Sequence, residues 1–158
     1  MGVAGAGKTR IGSLLAEALG AGFVDADDYH SPDNIARMRR GLPLTDADRL
    51  PWLSRLAGEI RAWDEAGRRM VLACSALRQS YRDILGGNAV GWVYLKGSPE
   101  LIASRLAARR GHFLPPSLLE SQFAALEEPS GALVADVSPA PETIVARLLR
   151  ELAGGSIL

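Results

Sequence analysis

The stretch Gly2-Val3-Ala4-Gly5-Ala6-Gly7-Lys8-Thr9 constrains this chain more than any other part of it. It matches G-x-x-x-x-G-K-[ST] in full, and Ile11, Leu14, Leu15, Ala18 and Leu19 follow at once with helical spacing. Glycines let the backbone curl so that successive N–H groups face inward on an anion, and the helix behind adds its positive end. Lys8 is then placed to reach the β- and γ-phosphates of a nucleotide, and the Thr9 hydroxyl to enter a Mg²⁺ shell. Of the 18 basic residues only Lys8 and Lys96 are lysine, and a compact ammonium suits such a cradle better than a planar guanidinium. The plain alternative, a glycine-rich turn before an ordinary helix, stands against the complete motif and its helix. Only Met1 precedes Gly2, so the buried strand that normally feeds such a loop is expected to be missing from the middle of the sheet.

Short apolar runs alternate with longer helical patterns, the signature of βα units around a parallel sheet. The class is α/β, in three layers, with a mostly parallel sheet. Strands are expected at Gly22–Asp25, Met70–Ser75, Gly91–Leu95 and Leu133–Val137. Helices are expected at Lys8–Leu19, Pro32–Arg39, Asp46–Ala66, Ser80–Leu85, Pro99–Arg109, Pro116–Leu126 and Pro139–Leu152, with Gly20, Gly41, Gly67 and Gly86 as stops. The 158 residues fit one domain, with 47% hydrophobic residues to fill one core.

Eighteen acidic residues balance the 18 basic ones, so no overall field draws the chain to nucleic acid or to an anionic membrane. No apolar run approaches the roughly 18 residues of a membrane span. The single Cys74 has no internal disulfide partner, and a reducing cytoplasm is the expected compartment.

The acidic cluster Asp25-Ala26-Asp27-Asp28-Tyr29-His30 falls at a strand's carboxyl end, where open α/β sheets place ligands. Two readings stand open. A carboxylate there can take a proton from an attacking hydroxyl or hold Mg²⁺ through water; alternatively these residues form a polar turn that caps the next stretch of chain.

With its later blocks included, the sequence resembles the gluconokinase family of small P-loop sugar-acid kinases. Five blocks carry the resemblance. They are Gly2–Thr9; Asp25–His30 with Asn34 and Met38; the run Gly41–Leu53 containing Asp46-Ala47-Asp48-Arg49-Leu50-Pro51-Trp52-Leu53; Ala73-Cys74-Ser75-Ala76-Leu77 with Tyr81-Arg82-Asp83; and Tyr94-Leu95-Lys96-Gly97 leading to Arg105, Arg109, Gly111-His112-Phe113, Gln122-Phe123 and Leu126-Glu127-Glu128-Pro129. A phosphate loop alone is shared by many NTPases, whereas the third and fourth blocks, with D-x-D-R-x-P-W-L and C-S-A-L followed by Y-R-D, are specific to this family.

The resemblance implies transfer of the ATP γ-phosphate to the 6-hydroxyl of D-gluconate, with Mg²⁺ and often as a homodimer. It implies that Lys8, Asp27 and Arg109 act in catalysis. Gly2 to Thr9, Arg105, Arg109, Gln122 and Pro129 would hold nucleotide, with Gln122 to Pro129 near the adenine. Asp27, His30, Arg49, Ser75, Arg78 and Arg82 would face the substrate, and Thr9, with Asp27 or Ser75 through water, the metal. Arg49 either clamps the gluconate carboxylate or forms a salt bridge to Asp46 or Asp48. Trp52 is either core or a sugar platform. Arg78 stands where the family often has Lys. Arg105 and Arg109 fall in a segment at about 105–118 that reads as a lid or as a solvated basic helix end; His112 either serves that lid or has no duty. Cys74 is expected to be an inert buried thiol. Rival readings are a kinase of the same fold acting on shikimate or another sugar acid, and a truncated protein that binds nucleotide without catalysis.

Overall fold

The computed structural model describes residues 1–108 and 116–154. Four short strands and seven α-helices alternate among them: α1 (Lys8–Leu19), β1 (Gly22–Asp25), α2 (Pro32–Arg39), α3 (Asp46–Glu65), β2 (Met70–Ala73), α4 (Gln79–Ile84), β3 (Val93–Lys96), α5 (Pro99–Ala108), α6 (Pro116–Ala125), β4 (Leu133–Asp136) and α7 (Pro141–Ala153). Each expected element is present, with bounds shifted by two residues or fewer. The expected glycine stops hold as well: Gly20, Gly41, Gly67 and Gly86 all take positive φ, the conformation in which a glycine ends a helix without steric cost.

The strands pair in parallel as two separate halves. β1 lies beside β2 in the register Gly22↔Met70 to Asp25↔Ala73, and β3 beside β4 from Val93↔Leu133 to Lys96↔Asp136. Between the halves sit Met1 and Gly2. The Leu95 N–H donates to the Met1 carbonyl at 2.9 Å on one side, and the Gly2 N–H donates to the Ser75 carbonyl at 3.2 Å on the other. The gap expected in the middle of the sheet is therefore crossed by these two residues.

Two apolar clusters cover the strands. The first joins Ile11 and Leu15 of α1, Ile102 and Leu106 of α5, and Ile144, Val145 and Leu148 of α7 to Leu95, Ala135 and Val137. The second joins Trp52, Leu53 and Leu56 of α3 to Tyr81, Leu85, Cys74 and Tyr94. Parallel strands need this cover on both faces. Burial also pushes the Cys74 thiol up to about 11, so at neutral pH it stays protonated and inert, as expected. α3 is started by a capping box in which Thr45 Oγ1 accepts the Asp48 N–H and the Asp48 carboxylate accepts the Thr45 N–H. That cap fixes where Asp46 and Arg49 leave the helix.

Candidate active site

Residues 2–7 form the loop that the motif predicts, with φ of +146°, +83° and +93° at Gly2, Gly5 and Gly7. Gly5 has no substitute: a Cβ there would lie 2.8 Å from Leu106 Cγ and 3.1 Å from Ile102 Cγ2. α5 thus packs directly beneath the loop. Gly7 caps α1 without any side-chain bond, and no acidic residue occupies the first turn of α1. The first-turn amides of α1 are left for an outside acceptor, and the helix dipole makes an anion the favoured one.

The loop's own carbonyl holds Lys8: its Nζ donates to Val3 O at 3.0 Å. Beside it the Thr9 hydroxyl donates to Asp25 Oδ2 at 2.7 Å, and Asp25 Oδ1 accepts the Asp27 N–H at 3.1 Å. The capping reading of the acidic cluster is realised at Asp25, which caps the 3-10 turn Ala26–Tyr29 and ties it to the phosphate loop. Asp25 is the partner of Thr9 that sequence reasoning missed. Its signal was present in its position as the last residue of β1, the usual place of a metal-orienting acid in such sheets. A hydroxyl beside a carboxylate is a set of hard oxygen donors that suits Mg²⁺, which keeps several waters and needs few protein ligands. Among the described residues no cluster of three or more His, Cys, Asp or Glu forms a full metal cage, so phosphate and water would have to complete the shell of any metal held by Thr9 and its neighbours.

Desolvation by the surrounding protein, followed by the neighbouring Asp25 charge, raises the Asp27 carboxyl above the usual carboxylate range. Asp27 is solvent-exposed, so water moderates that shift. His30 is buried, and its ring stacks on Trp52 at 4.3 Å and 13°. Desolvation lowers the His30 pKa, which favours the neutral ring, and among the described residues nothing bonds its Nδ1. Trp52 in turn donates from Nε1 to Ala26 O at 2.7 Å. It is core in its burial and also the platform beneath His30.

A second charged group gathers around Asp46. Its carboxylate accepts from Arg78 Nη1 at 2.7 Å and from the Tyr81 hydroxyl, and lies 3.8 Å from Arg49 Nη1. Both guanidiniums flank the Tyr81 ring, at 5.8 Å for Arg49 and 5.9 Å for Arg78. The Arg49 salt bridge considered from sequence therefore exists, with Asp46 and not Asp48. Arg78 makes the shorter bond to the same acid, so the exchange for the family's usual lysine keeps its charge at this spot.

Arg82 is placed differently from the substrate-facing role expected for it. It is 2% exposed. Its guanidinium donates to the Ala76 carbonyl at 2.9 Å, to the Leu77 carbonyl at 3.3 Å and to Gln79 Oε1. Such a group positions its neighbours and has little surface left for a ligand. What it holds is the turn containing Ala76, whose φ of +43° is the only positive value at a non-glycine among the described residues. Ser75, half-buried, lies between the end of β2 and that strained turn.

On the nucleotide side, Arg105 Nη2 donates to Val137 O at 2.6 Å, where the chain leaves β4. Gln122 Oε1 accepts the Ala4 N–H at 2.7 Å, which sets it against the phosphate loop. Just ahead of half-buried Pro129, the Glu127 N–H bonds Leu77 O and Glu128 pairs with Lys96 at 2.7 Å. A cavity of about 640 Å³ opens here at the carboxyl ends of β3 and β4, lined in part by Lys96, Ser98, Phe123, Leu126 and Glu128. Arg109 and His112 lie outside the described residues, as does the middle of the segment expected to form a lid.

The shikimate kinase family profile matches residues 4–50. A probable gluconokinase of Rattus norvegicus is 49% identical over 150 residues, spanning 82% of this chain and 81% of the relative. The chain belongs to the gluconokinase family. Two solved structures agree with that placement. A sugar kinase from Janibacter sp. HTCC2649 superposes with a TM-score of 0.91 at 44% identity, over 99% of this chain and 93% of the other. A gluconokinase from Sinorhizobium meliloti 1021 gives 0.84 at 38% identity, over 98% and 93%. Membership makes the chain a P-loop kinase, a transferase that uses nucleotide. Seen as a gluconokinase site, the structure brings Lys8, Thr9, Asp25, Asp27 and His30 to one group of strand ends and Arg49 and Arg78 to a second group at the start of α3. No described helix is long and apolar enough to cross a membrane.

Proposed function

We propose that this chain phosphorylates D-gluconate at its 6-hydroxyl with the γ-phosphate of ATP. The observation that carries the reading is the bond from Thr9 to Asp25, which joins an uncapped, glycine-rich helix start to an acid whose neighbour Asp27 is free to take a proton.

The loop amides and Lys8 bind the phosphates, as a polyanion is a far stronger acceptor than the Val3 carbonyl. Asp27 accepts the proton of the 6-hydroxyl. The hydroxyl oxygen forms the new bond to the γ-phosphorus, the bond from that phosphorus to the bridging oxygen breaks, and ADP leaves. The Asp27 pKa, raised by burial and Asp25, brings its proton affinity closer to that task than an ordinary aspartate's. Mg²⁺, held by Thr9 with Asp25 or through water by Asp27 or Ser75, would neutralise phosphate charge.

His30 offers the unpartnered Nδ1 of a neutral ring to a sugar hydroxyl. Arg49 and Arg78 already meet a carboxylate at Asp46, and the gluconate carboxylate has the same shape and charge. By the family resemblance Arg105 and Arg109 contact the nucleotide, and Pro129 borders the base. The chain works as one domain in the cytoplasm, with small molecules as its partners and neither nucleic acid nor membrane, and pairs as a homodimer.

Lys8→Ala tests the reading. ATP-dependent phosphorylation of gluconate should fall at least about a hundredfold with an unchanged circular dichroism spectrum. Turnover near that of the parent, or a parent that prefers another acceptor in a panel of sugar acids, would overturn it.

A further inference from the structure

α6 is anchored by Leu119, which is 7% exposed and joins the first core cluster, and by Phe123, which packs against that cluster one turn later. Gln122 lies on the same face, three residues after Leu119. Packing of the helix therefore delivers the Gln122 carboxamide to the phosphate loop, 118 residues away in sequence, where it accepts the Ala4 N–H at 2.7 Å.

The Ala4 N–H belongs to the same peptide unit as the Val3 carbonyl, which accepts from Lys8 Nζ at 3.0 Å. A trans peptide is planar, with its N–H and C=O pointing opposite ways. One rigid plate is thus held from both sides: Lys8 grips its oxygen and Gln122 its nitrogen. Rotation of the plate would turn the carbonyl away from Lys8 and carry the N–H off Gln122, so each contact supports the other. Val3 is 3% exposed and Ala4 half-buried, so water only partly replaces a lost partner on this stretch. Gly2 and Gly5, at φ of +146° and +83°, bracket the Val3–Ala4 pair and give the loop its curl.

We propose that Gln122 is a positioning residue for phosphoryl transfer: its side-chain carbonyl sets the plane of the Val3–Ala4 peptide and thereby the resting place of the Lys8 ammonium. This rests on the role of Lys8 given above. It gives Gln122 a task at the phosphate end of the nucleotide, in place of the adenine contact that resemblance implies.

The test compares Gln122→Met, of similar length without the amide acceptor, Gln122→Asn, too short by one methylene, and Gln122→Glu, which keeps an acceptor oxygen at the same reach. The expected result is a loss of roughly tenfold in kcat/KM for ATP in the Met and Asn variants, with KM for gluconate within twofold of the parent and most activity retained by Glu. In the nitrogen-15 correlation spectrum the Ala4 amide should move upfield and exchange faster in Met and Asn but not in Glu. An ATP kcat/KM within twofold of the parent in both the Met and Asn variants, an equal rise in gluconate KM, or a Glu variant as impaired as Met would overturn the proposal. An Ala4 amide unchanged in the Met variant would overturn it whatever the activity. A failed Lys8 assignment would instead leave the amide shift in place and remove only the kinetic effect.

Discussion

Replacing Arg82 with leucine should destabilise the protein by about 3 kcal/mol. At 2% exposure the guanidinium donates to the Ala76 and Leu77 carbonyls, twice to Gln79 Oε1 and weakly to Met1 Sδ at 3.9 Å. Hydrogen bonds from a charged donor contribute roughly 1.5–3 kcal/mol each, and a buried carbonyl left without a partner costs about 1–3 kcal/mol. The desolvation of a guanidinium, which leucine does not suffer, offsets part of that sum. Counting the two carbonyls as the real loss gives the figure of about 3 kcal/mol, equivalent to a fall in Tm of roughly 6–12 °C for a domain of this size. Urea titration followed by circular dichroism at pH 7 measures it directly. Because the same carbonyls belong to the strained turn next to Ser75, KM for gluconate should rise in parallel at temperatures where the variant is still folded. A loss under about 1 kcal/mol would mean that the carbonyls find water, and that Arg82 is not the clamp of this turn.

Asp27→Asn should abolish most activity, by about 10²-fold or more, and raise stability at neutral pH. The folded pKa of Asp27 is raised, so its contribution is fully present below the unfolded value near 3.8 and is lost as pH rises through the folded value. At pH 7 the carboxylate therefore destabilises the fold, and the asparagine variant should show a higher Tm than the parent there and a smaller advantage at pH 4. For His30 the sign is reversed. Its folded pKa is lowered from 6.5, so its contribution is full above that value and lost as pH falls through the folded one. Unfolding titrations between pH 7 and pH 5 should show less acid-side loss in His30→Gln than in the parent; equal slopes would refute the assignment.

Much of this structure could be read from local sequence because its signals are local. α1, β1 and α2 follow from a cap, an apolar period and a glycine stop that lie within a dozen residues of one another. The phosphate loop was legible for the same reason: eight adjacent residues carry its whole chemistry. What local sequence does not reveal involves partners far apart in the chain. Gln122 meets Ala4 only because Leu119 and Phe123 seat α6 on the core, and nothing around residue 122 announces the contact. Arg82 has the composition of a surface cation, and its burial comes from the path of α4 beneath the Ser75–Leu77 turn. For Arg49 the sequence left two states open, and the structure shows a salt bridge to Asp46.

The bond from Lys8 to the Val3 carbonyl means that nucleotide enters by exchange. An ammonium already engaged with the main chain has little to gain from a neutral or singly charged visitor, since one weak acceptor would merely replace another. Only a ligand dense in negative charge repays the swap. On the role proposed for Lys8, the loop would favour ligands dense in negative charge over nucleosides before any contact with base or sugar is made.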